Sequence, residues 1–259
     1  MAVRLDKADT DQRLSVPADV GVFDDAEVGA CDEPVRRYFR AAIAPGTPLA
    51  RAARLRMRGS IRFGNRWVPF RAHELLAPLQ GYDWSATVAG GLLRGADTYV
   101  DGDASMRWRL LGLVPIIRTS GSDVARSALG RAAVEGIWLP TALLPRYGVG
   151  WHAEDDEHLV ADIPVGGQRV ALHIAVDSDG HVRSDHLDRW NDPDGTGRFG
   201  WVPFGVDAGA SRAFPCGITI PAEGTGGWFH GTDRWPEGRF MRYSISELVP
   251  VCPGRAEQT

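Results

Sequence analysis

One helical segment, residues 122–145, stands within a chain that otherwise consists mainly of strand-like sequence. The segment reads SDVARSALGRAAVEGIWLPTALLP. At the helical repeat of about 3.6 residues, its small and apolar side chains share one face. The other face carries Asp123, Ser127, Arg131 and Glu135. The pattern predicts a helix that packs closely through one side, and it leaves open whether the charged side lines a site or faces water.

Strands of an antiparallel sheet are predicted on both sides of this helix. In residues 54–63, apolar side chains alternate strictly with polar ones, which is typical of a strand with one buried face. Four of the polar positions are arginines, which we interpret as a solvated outer face in preference to an anion-binding stripe. Asp101 and Gly102 predict a tight hairpin turn. Further strands are predicted at residues 67–76, 82–89, 98–100, 105–111, 159–165, 168–176, 181–190, 217–221, 227–231 and 239–248.

An earlier helix is predicted from Asp32, which is a suitable N-cap, with Pro34 in the first turn. The predicted fold class is therefore α+β: a large curved antiparallel sheet with an N-terminal helix and a mid-chain helix over its concave face. We expect a flexible N-terminal arm at residues 1–30, a single curved-sheet domain at 31–250 and a disordered tail at 251–259.

Composition excludes several classes of function. The hydrophobic content of 44% and charged content of 24% indicate a globular chain. A net charge of −4 without a long basic run argues against a nucleic-acid partner. The chain has no apolar run of about 20 residues and no secretory signal pattern, so we expect a cytoplasmic protein without stable membrane insertion. The oligomeric state stays open.

No cofactor or metal site is predicted. The three cysteines are far apart and lack CxxC spacing, and the histidines lack metal-ligand spacing. The chain contains no GxSxG, phosphate-loop or HExxH motif. We therefore expect neither a bound metal ion nor a cofactor.

The nine tryptophans suggest an apolar cavity. Core packing is the alternative for any one of them, but several together favour a ligand-binding wall. The ligand-binding candidates are Trp84, Trp108, Trp138 and Trp228, together with Ser127 of the helix.

The catalytic candidates are Glu135, Arg131, Asp123 and His230. Glu135 beside Trp138 would have a raised pKa and serve as an acid or base if it were half-buried. Arg131 would hold a ligand carboxylate or phosphate, or pair with Glu135 on a solvated face. Asp123 lies in the first turn, where a favourable interaction with the helix dipole is the alternative explanation. His230 follows Trp228 in a glycine-rich segment and is expected at a pocket edge.

The run GRAAVEGIWLPTALLP resembles the signature of an uncharacterised bacterial domain-of-unknown-function family, in which Glu135 precedes Trp138-Leu139-Pro140 and the exit Ala142-Leu143-Leu144. The similarity extends over residues 33–248. It implies a half-barrel of the lipoprotein-localisation (LolA-like) type, in which a curved sheet and its helices elsewhere hold acyl chains. It implies no activity, because fold does not determine function. Similar motifs occur at residues 34–38, 67–72, 179–180, 217–221 and 238–242.

Two functions are consistent with these observations. The first is binding of a hydrophobic or amphipathic small molecule in a cavity between the curved sheet and the helix. The second is a cofactor-independent enzyme of the isomerase, cyclase or lyase type, acting on such a molecule by acid/base catalysis in that cavity. Whether the protein is an enzyme depends on the orientation of Glu135, which the sequence leaves open.

Overall fold

A 13-stranded antiparallel sheet forms most of the molecule. The computed structural model describes residues 7–252. Six strands precede the mid-chain helix: β1 (Ala53–Phe63), β2 (Arg66–Ala77), β3 (Gly81–Val88), β4 (Leu93–Val100), β5 (Asp103–Leu110) and β6 (Val114–Ser120). Nine follow it: β7 (Gly150–Ala153), β8 (His158–Val165), β9 (Gln168–Val176), β10 (Val182–Asn191), β11 (Gly200–Ala208), β12 (Ser211–Ala213), β13 (Thr219–Pro221), β14 (Glu223–Trp228) and β15 (Arg239–Pro250).

The sheet has two halves that join where β1 pairs with β15. Its strand order is β6-β5-β4-β3-β2-β1-β15-β14-β11-β10-β9-β8-β7, while β12 and β13 pair separately. The sheet curls into a half-barrel, and its buried side chains form one large hydrophobic cluster. The predicted α+β class with a large curved antiparallel sheet is confirmed.

Local turn chemistry explains the meander of the first half. Asp101 and Gly102 both have left-handed backbone angles, with φ of 46° and 97°, and they join the paired residues Val100 and Asp103. This is the two-residue hairpin that the sequence predicts. The alternation pattern does not predict β6, because β6 is an edge strand whose side chains are all exposed.

Within residues 7–252, four α-helices accompany the sheet: α1 (Lys7–Leu14), α2 (Glu33–Ala42), α3 (Ser122–Val134) and α4 (Trp235–Gly238). The α2 helix begins after Asp32 as predicted, although the Asp32 carboxylate accepts from the amide of Ala153 and makes no cap hydrogen bond. The α3 helix ends earlier than predicted, since Pro140 and Pro145 cannot donate helical hydrogen bonds. Short 3-10 helices lie at Asp25–Val28, Ala89–Gly91, Glu135–Trp138, Pro140–Leu143 and Pro145–Tyr147.

The expected N-terminal arm contains α1, which buries Leu14 against Leu75, Ala77 and Val100. Of the expected disordered tail, only Val251 and Cys252 are described, and residues 253–259 lie outside the described part of the chain.

The α3 helix packs inside the curve of the sheet. Its small-residue face is buried, as predicted, through Ala128, Leu129, Ala132 and Ala133. It contacts strands of both halves, including β5 and β10, and so fills the concavity between them. No helix within residues 7–252 is long and apolar enough to cross a membrane.

Candidate functional site

Arg131 lies at the centre of a buried charged cluster in the concavity. Its Nε donates to Glu135 Oε1 at 2.6 Å, its Nη1 lies 3.3 Å from Asp97 Oδ2, and its Nη2 lies 3.5 Å from Glu74 Oε1. These carboxylates come from β2, β4 and the turn after α3. Because every residue of the cluster is largely buried, the attraction between these charges is only weakly screened by water.

Aromatic rings surround the Arg131 guanidinium. Its Cζ lies 4.3 Å from the ring centre of Tyr82 and 5.0 Å from that of Trp84, which are cation–π distances. The indole of Trp108 donates to Asp97 Oδ1 at 2.9 Å. The rings surround the charges with an environment of low polarity. Such an environment strengthens the attraction between paired charges and makes any unpaired polar group more costly.

Burial changes the proton affinities of the cluster. The pKa of Glu74 is raised well above its usual value by burial and by the nearby Glu135 carboxyl, and Arg131 only partly opposes this. Burial also raises the pKa of Asp97, against Arg131 and the Trp108 hydrogen bond. Glu74 Oε2 and Glu135 Oε2 are buried without a hydrogen-bond partner. Burial and the Glu135 carboxyl therefore favour the protonated form of Glu74, with Arg131 kept cationic.

A second guanidinium, that of Arg189 on β10, forms no ion pair within the described residues. Its Cζ lies 4.7 Å from the ring centre of Phe204 and 5.1 Å from that of Trp228. Its Nε donates to the carbonyl oxygen of Ser127 at 2.8 Å. Burial lowers the pKa of Arg189 to about 10. The carboxylates of Glu135 and Asp97 raise this pKa, but burial outweighs their effect, because both carboxylates pair with Arg131 instead.

Beside Arg189 the sheet opens into a cleft. Pairing of β9 with β10 ends at His173 and His186, and beyond this point the two strands separate. The cleft has a volume of about 500 Å³. Behind it lies α3, where a Cβ added to Gly130 would come within 3.0 Å of Arg189 Cγ. Its lining includes Leu129, Gly130, Val170, His173, Leu187 and Trp201.

Asp185 is a further buried carboxyl on the inner face of β10. It is 0% exposed, and neither of its oxygens has a hydrogen-bond partner. Burial raises its pKa well above the usual value, with added repulsion from Asp207 and Glu135. Burial therefore favours the neutral form of Asp185, and neither of its oxygens is compensated by a hydrogen bond.

The structure brings together some of the predicted site residues. Arg131 and Glu135 face the concavity, and Trp84 and Trp108 contact their cluster. Trp228 stacks on Arg189. Trp138 is buried in the core, where its indole nitrogen lies 3.4 Å from the hydroxyl of Tyr243.

Other predicted residues lie apart from this cluster. Asp123 is exposed at the start of α3 and accepts from the indole of Trp190 at 2.7 Å, while Ser127 contributes its carbonyl oxygen to Arg189. His230 lies on the outer face of the sheet, 3.1 Å from Asp207 and stacked on His186. The left-handed backbone of Phe229, with φ of 62°, interrupts the strand alternation after Trp228. His230 is therefore not brought together with Glu135.

Sequence reasoning missed four charged groups of the concavity: Glu74, Asp97, Arg189 and Asp185. A signal for them existed, because a charged residue at an inward position of an alternating strand needs an internal partner. Glu74 occupies such a position, two residues after the buried Ala72. The partner could not be identified from this pattern, since it lies on a different element.

The fold and the buried cluster define a curled-sheet protein with charged side chains in its interior. Comparisons with known proteins identify its family. The chain belongs to the family of unknown function DUF6544, whose model matches residues 21–240. The comparison with curated proteins gives no match.

Three solved structures are similar to the chain over most of its length. A DUF1329 family protein from Desulfovibrio piger is 12% identical, with 78% of this chain and 86% of that chain covered and a TM-score of 0.44. An outer membrane lipoprotein-sorting protein domain from Vibrio parahaemolyticus is 7% identical, with coverage of 80% and 87% and a TM-score of 0.42. A LolA superfamily protein from Nitrosomonas europaea is 12% identical, with coverage of 84% and 91% and a TM-score of 0.43.

Proposed function

We propose that the protein binds an amphipathic small molecule whose anionic head pairs with Arg189 and whose apolar part lies in the cleft between β9 and β10. The observation that carries this proposal is the buried Arg189 guanidinium, which has no ion-pair partner in the described chain. A buried charge is costly unless it is paired, and the faces of Phe204 and Trp228 compensate it only in part. A ligand anion would supply the negative charge that the Arg189 guanidinium lacks.

The chemistry of Arg189 and of the cleft next to it supports the two parts of this ligand. A guanidinium suits a carboxylate or phosphate, because its planar donors match two acceptor oxygens. The lining contributes the aliphatic side chains of Leu129, Val170 and Leu187, and Gly130 lies beside them. The cleft volume of about 500 Å³ is in the usual range for small-molecule sites, roughly 300–1,000 Å³.

Replacing Arg189 by Gln is expected to weaken binding of a fluorescent fatty acid, dansyl-undecanoic acid, by roughly tenfold or more, since a charge-assisted hydrogen bond is lost. Fluorescence titration of the full chain measures the effect. Arg183→Gln is the matched control, because Arg183 lies on the same strand but is exposed and pairs with Glu157.

The neutral alcohol with the same chain separates charge recognition from hydrophobic capture. The wild type should prefer the acid, and Arg189→Gln should bind acid and alcohol alike. Equal affinity of the wild type for both compounds, or equal effects of the two Arg variants, would contradict the proposal.

A second candidate function is cofactor-independent acid/base catalysis of the isomerase, cyclase or lyase type on such a molecule. The observation that favours it is that Glu74 and Glu135 both lie against Arg131 in an aromatic environment, where burial and the Glu135 carboxyl raise the pKa of Glu74. Two neighbouring carboxyl groups with separated pKa values can supply an acid and a base at the same pH. Arg131 would stabilise negative charge that develops beside them.

Glu135→Gln is expected to lower the pKa of Glu74, because a nearby negative charge that opposes ionisation is removed. Infrared titration of the protonated carboxyl band should show the loss of that band at a lower pH than in the wild type. The exposed Glu154→Gln serves as the control and should leave the titration unchanged. An unchanged titration in Glu135→Gln would show that Glu135 does not raise the pKa of Glu74, and the catalytic proposal would lose its basis.

A further inference from the structure

Two neighbouring turns at one end of the sheet and the start of the edge strand β6 carry an exposed apolar surface, here called the apolar tip. The turns are tied together by the amide of Leu111, which donates to the carbonyl oxygen of Leu92 at 2.7 Å. Leu113 is 77% exposed and Leu111 is 64% exposed. Contiguous aliphatic exposure of this kind marks an interaction surface. The apolar tip consists of Leu92, Leu111, Leu113, Val114, Ile116 and Ile117.

A line of arginines, here called the arginine row, crosses the outer face of the sheet next to the apolar tip. Strand register places Arg58 opposite Arg71, and Arg94 opposite Arg109, with Thr87 between the two pairs. Within residues 7–252 none of these four guanidiniums forms an ion pair. Like charges directly opposite each other destabilise a sheet, so the row carries a cost that an external anion would remove.

The row and the tip are physically continuous. The Arg94 side chain lies over both turns, because a Cβ added to Gly91 would be 3.5 Å from its Nη2 and one added to Gly112 would be 3.8 Å from its Cδ. A groove of about 840 Å³ on the outer face is lined by Arg58, Arg71 and Gly90, among other residues. Cationic and aliphatic side chains therefore meet along one surface.

We propose that the apolar tip and the arginine row dock on the surface of a lipid bilayer that contains anionic phospholipids. Arginines bind phosphate groups, and aliphatic side chains at protruding turns can enter the boundary between headgroups and acyl chains. The tip contains only Leu, Val and Ile, whereas protein–protein hot spots are enriched in Trp, Tyr and Arg and poor in Leu and Val. The composition of the tip thus favours hydrocarbon over a protein partner.

The charge distribution makes this docking directional. The whole chain carries a net charge of −4, so an anionic membrane repels it on average. Only a face with locally concentrated positive charge can approach such a membrane, and the arginine row supplies that face. This proposal does not depend on the cleft or on Arg189, and it gives a role to Arg58, one of the four β1 arginines interpreted from the sequence as a solvated face.

Co-sedimentation of the full chain with vesicles tests the proposal. Vesicles of phosphatidylcholine with about one third phosphatidylglycerol should bind the chain, with binding that weakens as salt is added, and pure phosphatidylcholine should bind it far less. The double variant Arg94→Gln/Arg109→Gln should lose roughly 30-fold in affinity, on the basis of ~1 kcal/mol per arginine at an anionic membrane surface. Leu111→Asp/Leu113→Asp should abolish binding. The controls are Arg198→Gln and Val20→Asp, at an exposed arginine and an exposed valine elsewhere.

Thermal unfolding of each variant shows whether it is folded, and gel filtration of the wild type shows whether it self-associates. Vesicle binding that both double variants lose and both controls keep supports the proposal. Three results would overturn it: no binding to anionic vesicles, equal loss in the controls, or tip variants that only convert a dimer to a monomer. Binding to inorganic polyphosphate with the same affinity as to vesicles, unaffected by the tip variants, would also overturn it.

Discussion

Arg131→Met is expected to lower the free energy of unfolding by about 3–5 kcal/mol, which is the cost typical of removing one partner from a buried ion network. In the folded chain Arg131 faces Glu74, Asp97 and Glu135, all largely buried. Without the guanidinium these carboxyls repel each other and must become protonated. Urea unfolding followed by tryptophan fluorescence measures the change.

Arg126→Met on the same helix is the matched control for Arg131→Met. Arg126 is exposed and lies over the Trp190 ring at 4.6 Å, so its loss should cost well below 1 kcal/mol. Adding Glu74→Gln and Glu135→Gln to Arg131→Met should restore part of the stability, because two of the uncompensated carboxyls are then neutral. Equal stability losses for Arg131→Met and Arg126→Met would mean that the cluster is not a coupled network.

Asp185→Asn is expected to make the protein more stable than the wild type at neutral and alkaline pH, with a flatter dependence of stability on pH. The pKa of Asp185 is raised in the folded chain by burial, so the folded state binds a proton more tightly than the unfolded state. The stability associated with this proton is complete below the ordinary carboxyl pKa. It is lost as the pH rises through the raised value, by up to a factor of ten in the folding equilibrium per pH unit.

Urea unfolding at a series of pH values tests the effect of Asp185→Asn. The two proteins should be close in stability at acid pH and diverge as the pH rises. Asp188→Asn is the control, since Asp188 is an exposed residue of the same strand. Glu74 has a raised pKa with the same sign, so a residual slope should persist in Asp185→Asn. Parallel pH profiles for the wild type and Asp185→Asn would show that Asp185 is not held neutral.

Much of the fold was predictable because it depends on local sequence. Strict alternation identifies β1, the Asp101-Gly102 pair identifies the hairpin between β4 and β5, and Asp32 with Pro34 marks the start of α2. The edge strand β6 was missed because alternation is recognisable only where one face of a strand is buried.

The candidate site was only partly predictable. The pairing of Arg131 with Glu135 follows from their spacing of four residues on one helix face. His230 was expected at a pocket edge, and the backbone turn at Phe229 places it on the outer face, stacked on His186 of the cleft lining and apart from Glu135. Single left-handed residues of this kind have no reliable sequence signal when the residue is not glycine.

The sequence by itself determined many of the elements: most of the strands, their turns, the two main helices and the family to which the chain belongs. Only the tertiary structure decided which charges meet. Arg131 contacts Asp97 from 34 residues away and Glu74 from 57 residues away. Those contacts depend on the register of the first strands and on the position of α3 inside the curve. The physical reason is that periodicity shows which face a side chain occupies, whereas burial and strand order determine the partner it finds there.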